Sequence, residues 1–374
     1  MIVKPLTEYC TLNMGQSPDS KTYNTQGNGL PFYQGKADFG ETHPVTRVWC
    51  SAPVKVAEDG DILISVRAPI GAMNMAVERC CIGRGLAALT PIRSKCSRQF
   101  LYYALQSKVD TLIAQGTGST FKAISKKVLE TTCIPAYSTI EQEQIAETIS
   151  RIDNTIAARR NQLALLDQLV KSRFIELFGE PQRNPHGYKQ TKLSDIATYY
   201  NGLTYKPENV AAEGTIVLRS SNIQNSQLDF ADTVRVDCAI KGRLMVQEND
   251  ILMCSRNGSA KLVGKVALIK DIQEPMSFGA FMMIIRSRYF GYLMTYFQMD
   301  AFRQQIKTGA TTTINQITGR MLDDVTIPLP PMALVDRFTA FVEQTDKSKY
   351  YKSIQILKLI TEAIAKEVSH DRIR

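Results

Sequence analysis

The stretch GTGSTFKAIS at residues 116–125 recurs as GATTTINQIT at residues 309–318, a shift of 193 positions from Gly116 to Gly309. Each copy begins with glycine, continues through small hydroxyl side chains and ends with an aliphatic residue followed by serine or threonine. Glycine lets the backbone approach a partner closely, and hydroxyl groups commonly bind phosphate oxygens. One copy alone would suggest a phosphate-binding loop, but a second copy half a chain away indicates an internal repeat.

The repeat extends well beyond the two loops. With the same shift, the Ile-Pro pair at 134–135 matches the Ile-Pro pair at 327–328. With small changes of offset, two further matches lie upstream: DGDILISVR at 59–67 with ENDILMCSR at 248–256, and LTEYCTLNMG at 6–15 with LSDIATYYNG at 193–202. The chain is therefore predicted to hold two copies of one plan, each a globular block followed by a helix.

Each block combines sequence segments typical of strands with segments typical of helices. DILISV and DILMCS follow acidic Gly or Asn turns and predict strands, whereas residues 97–115 and their counterpart 290–306 each predict a helix that leads into the hydroxyl-rich loop. We expect an α+β fold with two pseudo-repeated mixed α/β domains, joined by two long antiparallel coiled-coil helices. The predicted boundaries are 1–138 for the first domain, 139–180 for the central helix, 181–331 for the second domain and 332–374 for the C-terminal helix.

The helix after each block carries the heptad signal. Apolar residues recur at alternating spacings of four and three along one face, which is the seam pattern of a coiled coil. The first seam contains Ile145, Ile149, Ile152, Ile156, Leu163, Leu166 and Val170, and the second contains Phe338, Val342, Ile356 and Leu359. Either helix could instead pack on its own domain, and the second seam is more polar in its middle. Two seams of equal length favour pairing with each other, as a spacer between the blocks.

Composition narrows the class of partner. The chain has 45 Lys and Arg against 36 Asp and Glu, a formal net charge of +9. This balance indicates a polyanionic partner, either nucleic acid or an anionic membrane surface. The apolar runs are far shorter than the roughly 20 residues of a membrane span, and the N-terminus has no signal-peptide core, so we expect no membrane association and a cytoplasmic location.

A search for catalytic or metal chemistry finds no convincing site. The eight cysteines form no C-x-x-C pair and lie at no zinc-finger spacing from the three histidines, so they are predicted to be buried, reduced thiols. No phosphate loop of the G-x-x-x-x-G-K type occurs, and GRGLAA at 83–88 meets Pro91 too soon to open a dinucleotide-binding helix. Asp61 and Asp250 stand where a turn enters a strand, and we interpret them as turn residues.

Basic and amide residues lie in equivalent loops of both copies and are the candidates for DNA contact. Arginine can read guanine and asparagine can read adenine through paired hydrogen bonds, while Ser, Thr and Lys suit phosphate. The candidates are Lys36, Arg67, Arg84, Ser119, Thr120 and Lys122 in the first block, and Arg219, Asn222, Arg256, Asn257, Thr312, Thr313 and Asn315 in the second.

These features resemble the specificity (S) subunits of type I restriction–modification systems, the HsdS family. The resemblance covers the whole chain and rests on the doubled plan, on DGDILISVRAPIG and ENDILMCSRNGS, and on SRFIELFGEP at 172–181. The approach to the second helix, IPLPPMALVDRFTAFV at 327–342, and its twin at 134–149 are its most specific pieces. The matching approach, IPAYSTIEQEQIAETI at 134–149, departs from the Pro-Pro start common in the family.

The resemblance implies a non-catalytic subunit. Each target-recognition domain would bind one half of a split, asymmetric sequence in double-stranded DNA, and the helices would set the spacer and dock two methyltransferase (M) subunits. S-adenosylmethionine, ATP and Mg would belong to the M subunits and to restriction (R) subunits, with no cofactor on this chain. Two other classes stay open at this point: a DNA-modifying or DNA-cleaving enzyme with a degenerate motif, and a protein-only coiled-coil adaptor.

Overall fold

A computed structural model gives the fold of residues 2–118, 122–307 and 315–372, with side chains described through residue 356. The chain divides into two compact units, Met1–Arg159 with Gln355–Arg374, and Arg160–Ile354. The domain boundaries expected at residues 138, 180 and 331 remain predictions.

The first unit is built from short strands and short helices, followed by one long helix. Its strands are β1 (Val3–Pro5), β2 (Cys10–Met14), β3 (Tyr23–Asn24), β4 (Leu30–Tyr33), β5 (Trp49–Cys50), β6 (Val56–Ala57), β7 (Ile62–Ser65), β8 (Met73–Met75), β9 (Cys80–Ile82), β10 (Leu86–Pro91) and β11 (Cys133–Pro135). Its helices are α1 (Arg98–Gln106), α2 (Val109–Ala114), α3 (Lys126–Thr131) and α4 (Thr139–Phe178), of which residues up to Arg159 belong to this unit.

The second unit repeats this order with its own short helices. Its strands are β12 (Gln190–Lys192), β13 (Thr198–Asn201), β14 (Val210–Ala211), β15 (Thr215–Leu218), β16 (Ile223–Gln224), β17 (Gln227–Leu228), β18 (Arg235–Val236), β19 (Ile251–Cys254), β20 (Val266–Leu268), β21 (Met276–Phe278), β22 (Met282–Arg286) and β23 (Thr326–Pro328). The helices that begin after α4 are α5 (Leu193–Ile196), α6 (Phe290–Tyr296), α7 (Asp300–Lys307), α8 (Gly319–Asp323) and α9 (Met332–Arg372).

The two units share one sheet plan. An antiparallel sheet has the order β2-β10-β7-β8 in the first unit and β13-β22-β19-β20 in the second. A second sheet contains one parallel pair in each unit, β4 with β9 and β15 with β21. A two-stranded ribbon joins the first and last strands of each block, β1 with β11 and β12 with β23. The predicted internal repeat is confirmed.

Both central strands are fixed by the acidic turn that precedes them. In each turn one residue has left-handed backbone geometry, Gly60 with φ 82° and Asn249 with φ 67°, which glycine and asparagine tolerate best. The next residue closes the turn: an oxygen of Asp61 accepts from the Glu58 amide at 2.9 Å, and Asp250 accepts from the Gln247 amide at 2.7 Å. The interpretation of both aspartates as turn residues is confirmed. The strands that follow, β7 and β19, are buried along their whole length.

The helical stretch after each sheet is broken, where the sequence predicted one helix. The first stretch stops at Gln106 and resumes at Val109, and the second stops at Tyr296 and resumes at Asp300. At the first break the Ser107 hydroxyl donates to the Ala104 carbonyl at 2.8 Å. Such a bond competes with the helical backbone pattern and favours an end at that point.

Helices α4 and α9 pair antiparallel within the second unit. Lys349 contacts Asp167 at 2.8 Å, and the Lys352 ammonium donates to Gln162 at 3.0 Å. Nearer the block, Phe174 and Phe178 pack edge-on against Phe338. Residues later in the sequence of α4 contact residues earlier in the sequence of α9, so the two helices run in opposite directions.

The seam residues with described side chains lie on the less exposed face of their helices. Ile145, Ile149, Ile152, Ile156, Leu163, Leu166, Val342 and Ile356 are half-buried, and Val170 and Phe338 are buried. The side chain of Leu359 lies outside the described part. The predicted α+β fold, with repeated domains and long coiled-coil helices, is confirmed.

The start of α4 also packs on its own block. This agrees with the alternative interpretation of the seam, in which each helix packs on its own domain. Ile145 and Ala146 lie against the core of the first unit. Gln142 is fully buried; its amide accepts from the Ser97 amide and donates to the Lys95 and Tyr137 carbonyls, each at 3.0 Å. The helix therefore serves both purposes, docking at its first turns and pairing further along.

The cysteines are free, and most are buried as predicted; Cys133 is exposed and Cys238 is half-buried. Burial raises the pKa of the Cys10, Cys80 and Cys96 thiols to about 12. Thiols with such a pKa are protonated at neutral pH and chemically inert. Among the described helices, none is long and apolar enough to span a membrane.

Candidate nucleic-acid interface

The described ends of the twin loops, residues 122–125 and 315–318, dock on their blocks in the same way. In the first unit Arg67, just after β7, forms a β-bridge with Ala123, and the Ile124 amide donates to the Val66 carbonyl at 2.9 Å. In the second unit Arg256, just after β19, forms a β-bridge with Gln316, and the Ile317 amide donates to Ser255 at 2.7 Å. Each loop is thus fixed beside an exposed arginine at a strand end.

Backbone hydrogen bonds bring four candidates of the first unit to one edge. The Gly83 amide donates to Tyr33, near Lys36, and the Val66 amide donates to Gly85, beside Arg84. The Ala68 amide then donates to the carbonyl of Lys122 at 3.1 Å. Lys36, Arg67, Arg84 and Lys122 are all exposed, so this edge carries four cations on neighbouring segments.

The second unit repeats the arrangement with different side chains. The Gly279 amide donates to Leu218, next to Arg219, and the Arg256 amide donates to Phe281. The Asn257 amide donates to the carbonyl of Asn315 at 3.3 Å, and the Asn315 side chain donates back to Gly258 at 3.2 Å. Arg219, Arg256, Asn257 and Asn315 are therefore brought together.

Asn222 differs from the other candidates because it is 1% exposed. Its side-chain oxygen accepts from the Arg219 amide at 2.8 Å, and its nitrogen donates to the carbonyls of Asp229 and Asp232. With its hydrogen-bonding groups used inside the loop, the geometry favours a role in shaping the loop that carries Arg219.

The guanidinium of Arg219 is held beside this loop. Its Nη2 donates to Asp232 at 2.6 Å, while its Nε is buried and has no hydrogen-bond partner among the described residues. A buried N–H without an acceptor is costly and needs an explanation.

A large aromatic side chain stands exposed at the same edge. Phe281 lies in the turn between β21 and β22 and is 59% exposed. The Arg256 guanidinium carbon lies 5.4 Å from the centre of its ring, within the range of a cation–π contact. Phe281 lines a cavity of about 320 Å³ that also contacts Tyr205, Arg219, Ser220 and Ser221.

Phe281, Tyr205 and Ser220 line this cavity but are not among the DNA-contact candidates of the sequence. Aromatic residues are common in strands and cores, so the sequence GAFMMII predicts that Phe281 is a buried core residue. The alignment of the repeats holds the missing signal, because Phe281 follows Gly279 as Gly85 follows Gly83. A phenylalanine at a turn position that the other copy fills with glycine points to the surface.

Four candidates lie outside the described residues: Ser119, Thr120, Thr312 and Thr313. Their contact with DNA remains a prediction. Among the residues that the structure does describe, no group of three His, Cys, Asp or Glu side chains could hold a metal ion.

Parts of this chain resemble known proteins. Residues 1–168 match the family described as "Type I restriction modification DNA specificity domain". A candidate type I restriction enzyme MjaX specificity subunit of Methanocaldococcus jannaschii is 42% identical over 164 residues, which cover 44% of this chain and 39% of that protein. The chain thus spans well under half of that curated relative.

Two further relatives extend along the chain. The type I restriction enzyme MjaIX specificity subunit of the same organism is 22% identical across all of this chain and 93% of its own length. The crystal structure of a type I restriction–modification S subunit from M. genitalium has a TM-score of 0.58 and 15% identity, covering 97% of this chain and 94% of that one. At that identity the structural match concerns the fold alone, which it supports in both units. Residues 1–168 therefore match the type I restriction modification DNA specificity domain, and the chain as a whole is similar to the specificity subunits of type I restriction–modification systems.

Proposed function

We propose that this chain is the non-catalytic subunit that recognises DNA sequence in a type I restriction–modification complex. Each unit would read one half of a bipartite, asymmetric target in double-stranded DNA. The observation that carries the proposal is the twin edge: the same loop docks beside Arg67 in one unit and beside Arg256 in the other. Exposed arginines with flanking amides and hydroxyls suit base edges and phosphates.

The two edges differ in their other side chains, which supports two different half-sites. Gln34, Arg84 and Gly85 in the first unit correspond to Arg219, Ala280 and Phe281 in the second, since the strand pairs β4–β9 and β15–β21 are equivalent. The positive charge therefore lies at different positions of the shared framework, on Arg84 in the first unit and on Arg219 in the second. Readers with different donors select different bases.

The partners and cofactors belong to the same proposal. Helices α4 and α9 would set the spacer length and dock two M subunits, and R subunits would join where they exist. S-adenosylmethionine, ATP and Mg would act on those partners. An enzyme built on Asp61 and Asp250 is less well supported, because Asp61 closes a turn and Asp250 is engaged by Arg286.

The test uses the full chain in complex with its M subunits. We expect selection from a random duplex pool to yield one bipartite sequence, with affinity falling steeply as salt rises because phosphate contacts release counterions. Arg67→Gln should relax the first half-site only, and Arg256→Gln the second only, each by about 1–3 kcal/mol if the arginine pairs with guanine.

Arg183→Gln is the charge-matched control, since this side chain is 82% exposed, pairs with Glu180 and is not among the candidates for DNA contact. It should leave both half-sites unchanged. A complex that binds all duplex sequences equally at moderate salt would contradict the proposal. The adaptor alternative would gain support if neither arginine variant changed DNA binding.

A further inference from the structure

We propose that the cavity bounded by Tyr205, Arg219, Ser220 and Phe281 binds one base of the second half-site after that base has left the double helix. This inference rests on the proposed function and adds a base-binding site to one of the two units. The ligand class is a neutral, planar heteroaromatic ring with hydrogen-bond acceptors along one edge.

The size and walls of the cavity fit such a ring. Its volume is about 320 Å³, within the range of small-molecule sites, which combine apolar walls with a few placed polar groups. Tyr205 and Phe281 supply aromatic walls, and Ser220, Ser221 and Arg219 supply polar groups. Proteins commonly stack an unpaired base on an aromatic side chain.

The charge of the cavity favours a base over a phosphate group. The Arg219 guanidinium is already paired with Asp232 at 2.6 Å, so little net charge remains for an anion. Its buried Nε–H still lacks an acceptor among the described residues. The Nε is buried, so the Arg219 side chain must turn on binding to present this N–H to a ligand. A neutral carbonyl or ring nitrogen would then satisfy the donor without a second anion entering beside Asp232.

Ser220 adds a second donor. Its hydroxyl oxygen accepts from the Asn257 side chain at 3.3 Å, which leaves the hydroxyl hydrogen available to a ligand. Two donors suit an edge with two neighbouring acceptors, and guanine has such an edge at O6 and N7. We therefore expect the bound base to be guanine.

The exposure of Phe281 has a reason under this proposal. A phenylalanine that is 59% exposed costs apolar surface in water. Here the Arg256 guanidinium supports the ring, and a stacked base would cover more of it. In the first unit the equivalent position is Gly85, and the equivalent of Arg219 is Gln34, so the first unit lacks the aromatic wall and the arginine donor.

The experiment measures binding of the intact complex with its M subunits to duplexes that carry a single mismatch at each position of the target in turn. A mismatch lowers the cost of moving a base out of the helix, so the duplex mismatched at the bound guanine should bind about tenfold tighter than the perfect duplex. This enhancement should occur in the second half-site only. The bases that the M subunits methylate are left out, because methyltransferases extrude their own target base.

Two variants assign the enhancement to the cavity. Phe281→Ala should abolish it, and Arg219→Lys should do the same while keeping a cation beside Asp232. Phe230→Ala is the matched control, an exposed phenylalanine of the same unit that does not line the cavity, and it should retain the full enhancement. Unchanged specificity at the other positions of the second half-site shows that the second unit of each variant is folded, and Arg219→Lys stands alone if Phe281→Ala fails this check.

The outcomes separate this inference from the proposed function. If the unmodified complex prefers no duplex sequence, the proposed function fails. If it selects a bipartite target but shows no Phe281-dependent enhancement in the second half-site, only the base-binding cavity is overturned.

Discussion

At the scale of single residues, the repeat provides its own comparison in the acidic turns. Asp250 is fully buried, and Arg286 donates to both of its carboxylate oxygens at 2.7 Å. Asp61 is 3% exposed, and one of its oxygens has no hydrogen-bond partner among the described residues. The position equivalent to Arg286 is held by Thr90, because Leu89 pairs with Ile62 as Ile285 pairs with Ile251.

We predict that Asp250→Asn destabilises the protein far more than Asp61→Asn. Removing one member of a buried ion pair typically costs about 3–5 kcal/mol, since the other charge is left without its partner. Asp61→Asn strands no cation and should cost about 1 kcal/mol or less in the free energy of unfolding. Chemical unfolding of both variants measures the difference, and equal losses would show that the Arg286 pair is not the cause.

Single residues also mark where prediction from sequence stops. The turn role of Asp61 and Asp250 could be predicted from the neighbouring residues alone, because the turn closes within three residues. The Arg286 partner lies 36 residues further along the chain, and only strand register brings it back. Asn222 was grouped with surface readers for a similar reason: its acceptors, the carbonyls of Asp229 and Asp232, become neighbours only when the loop closes.

At the scale of elements, the pairing of α4 with α9 in the second unit combines an apolar end and a polar middle. Phe174, Phe178 and Phe338 form the apolar end and are almost completely buried. Lys349 occupies the middle at 17% exposure between Asp167 and Asp346. Burial lowers the pKa of Lys349, but its hydrogen bonds to both carboxylates and their charges outweigh burial and raise the pKa overall. A raised lysine pKa stabilises the fold below the ordinary value near 10.4 and loses this effect only above it, so the contact persists at neutral pH.

We predict that the two parts of the pairing differ sharply in energy. Phe338→Ala should cost about 3–5 kcal/mol, because it opens a cavity among packed aromatic rings. Lys349→Met should change stability by no more than about 1 kcal/mol, since Asp167 is 65% exposed and returns to water. Thermal unfolding compares the two, and a large loss in Lys349→Met would show that the ion pair rather than the aromatic end fixes the helices.

The helices also show what periodicity can and cannot reveal. A spacing of four and three depends only on local sequence, and it correctly selected the inner face of α4 and α9. Phe174 and Phe178 fell outside the selected seam, yet they are the most deeply buried residues of their helix end. Phe174 stacks on Tyr292 of the second block and Phe178 packs edge-on against the same ring, and a contact with a distant element leaves no heptad signal.

At the scale of the whole molecule, one plan is used twice with unequal side chains. Repetition fixes what both copies need: the acidic turn, the buried strand, the docked loop and the long helix. The differences lie at the edge that follows β7 and β19. Gln34, Arg84 and Gly85 of the first unit occupy the positions that Arg219, Ala280 and Phe281 occupy in the second. Repetition could be found by aligning the chain with itself, whereas the cavity beside Phe281 required the folded loops. An asymmetric target suits this combination of a common frame and unequal readers.

Under the proposed function, the paired helices α4 and α9 set the spacer of that target. Residues 160–166 of α4 and 349–355 of α9 lie opposite each other, as the Gln162–Lys352 contact shows. Deleting both segments removes one heptad from each helix and keeps the seam in register. The helices become shorter by about 10 Å at 1.5 Å per residue, equal to about three base pairs at 3.4 Å each.

We expect methylome sequencing of cells that carry the shortened chain to report both half-sites unchanged and a spacer shorter by about three base pairs. Deleting only one segment shifts the seams past each other and should abolish specific methylation. Altered half-sites with the original spacer would show that the helices do not set the distance, and the readers would then have to be spaced by their docking on the M subunits.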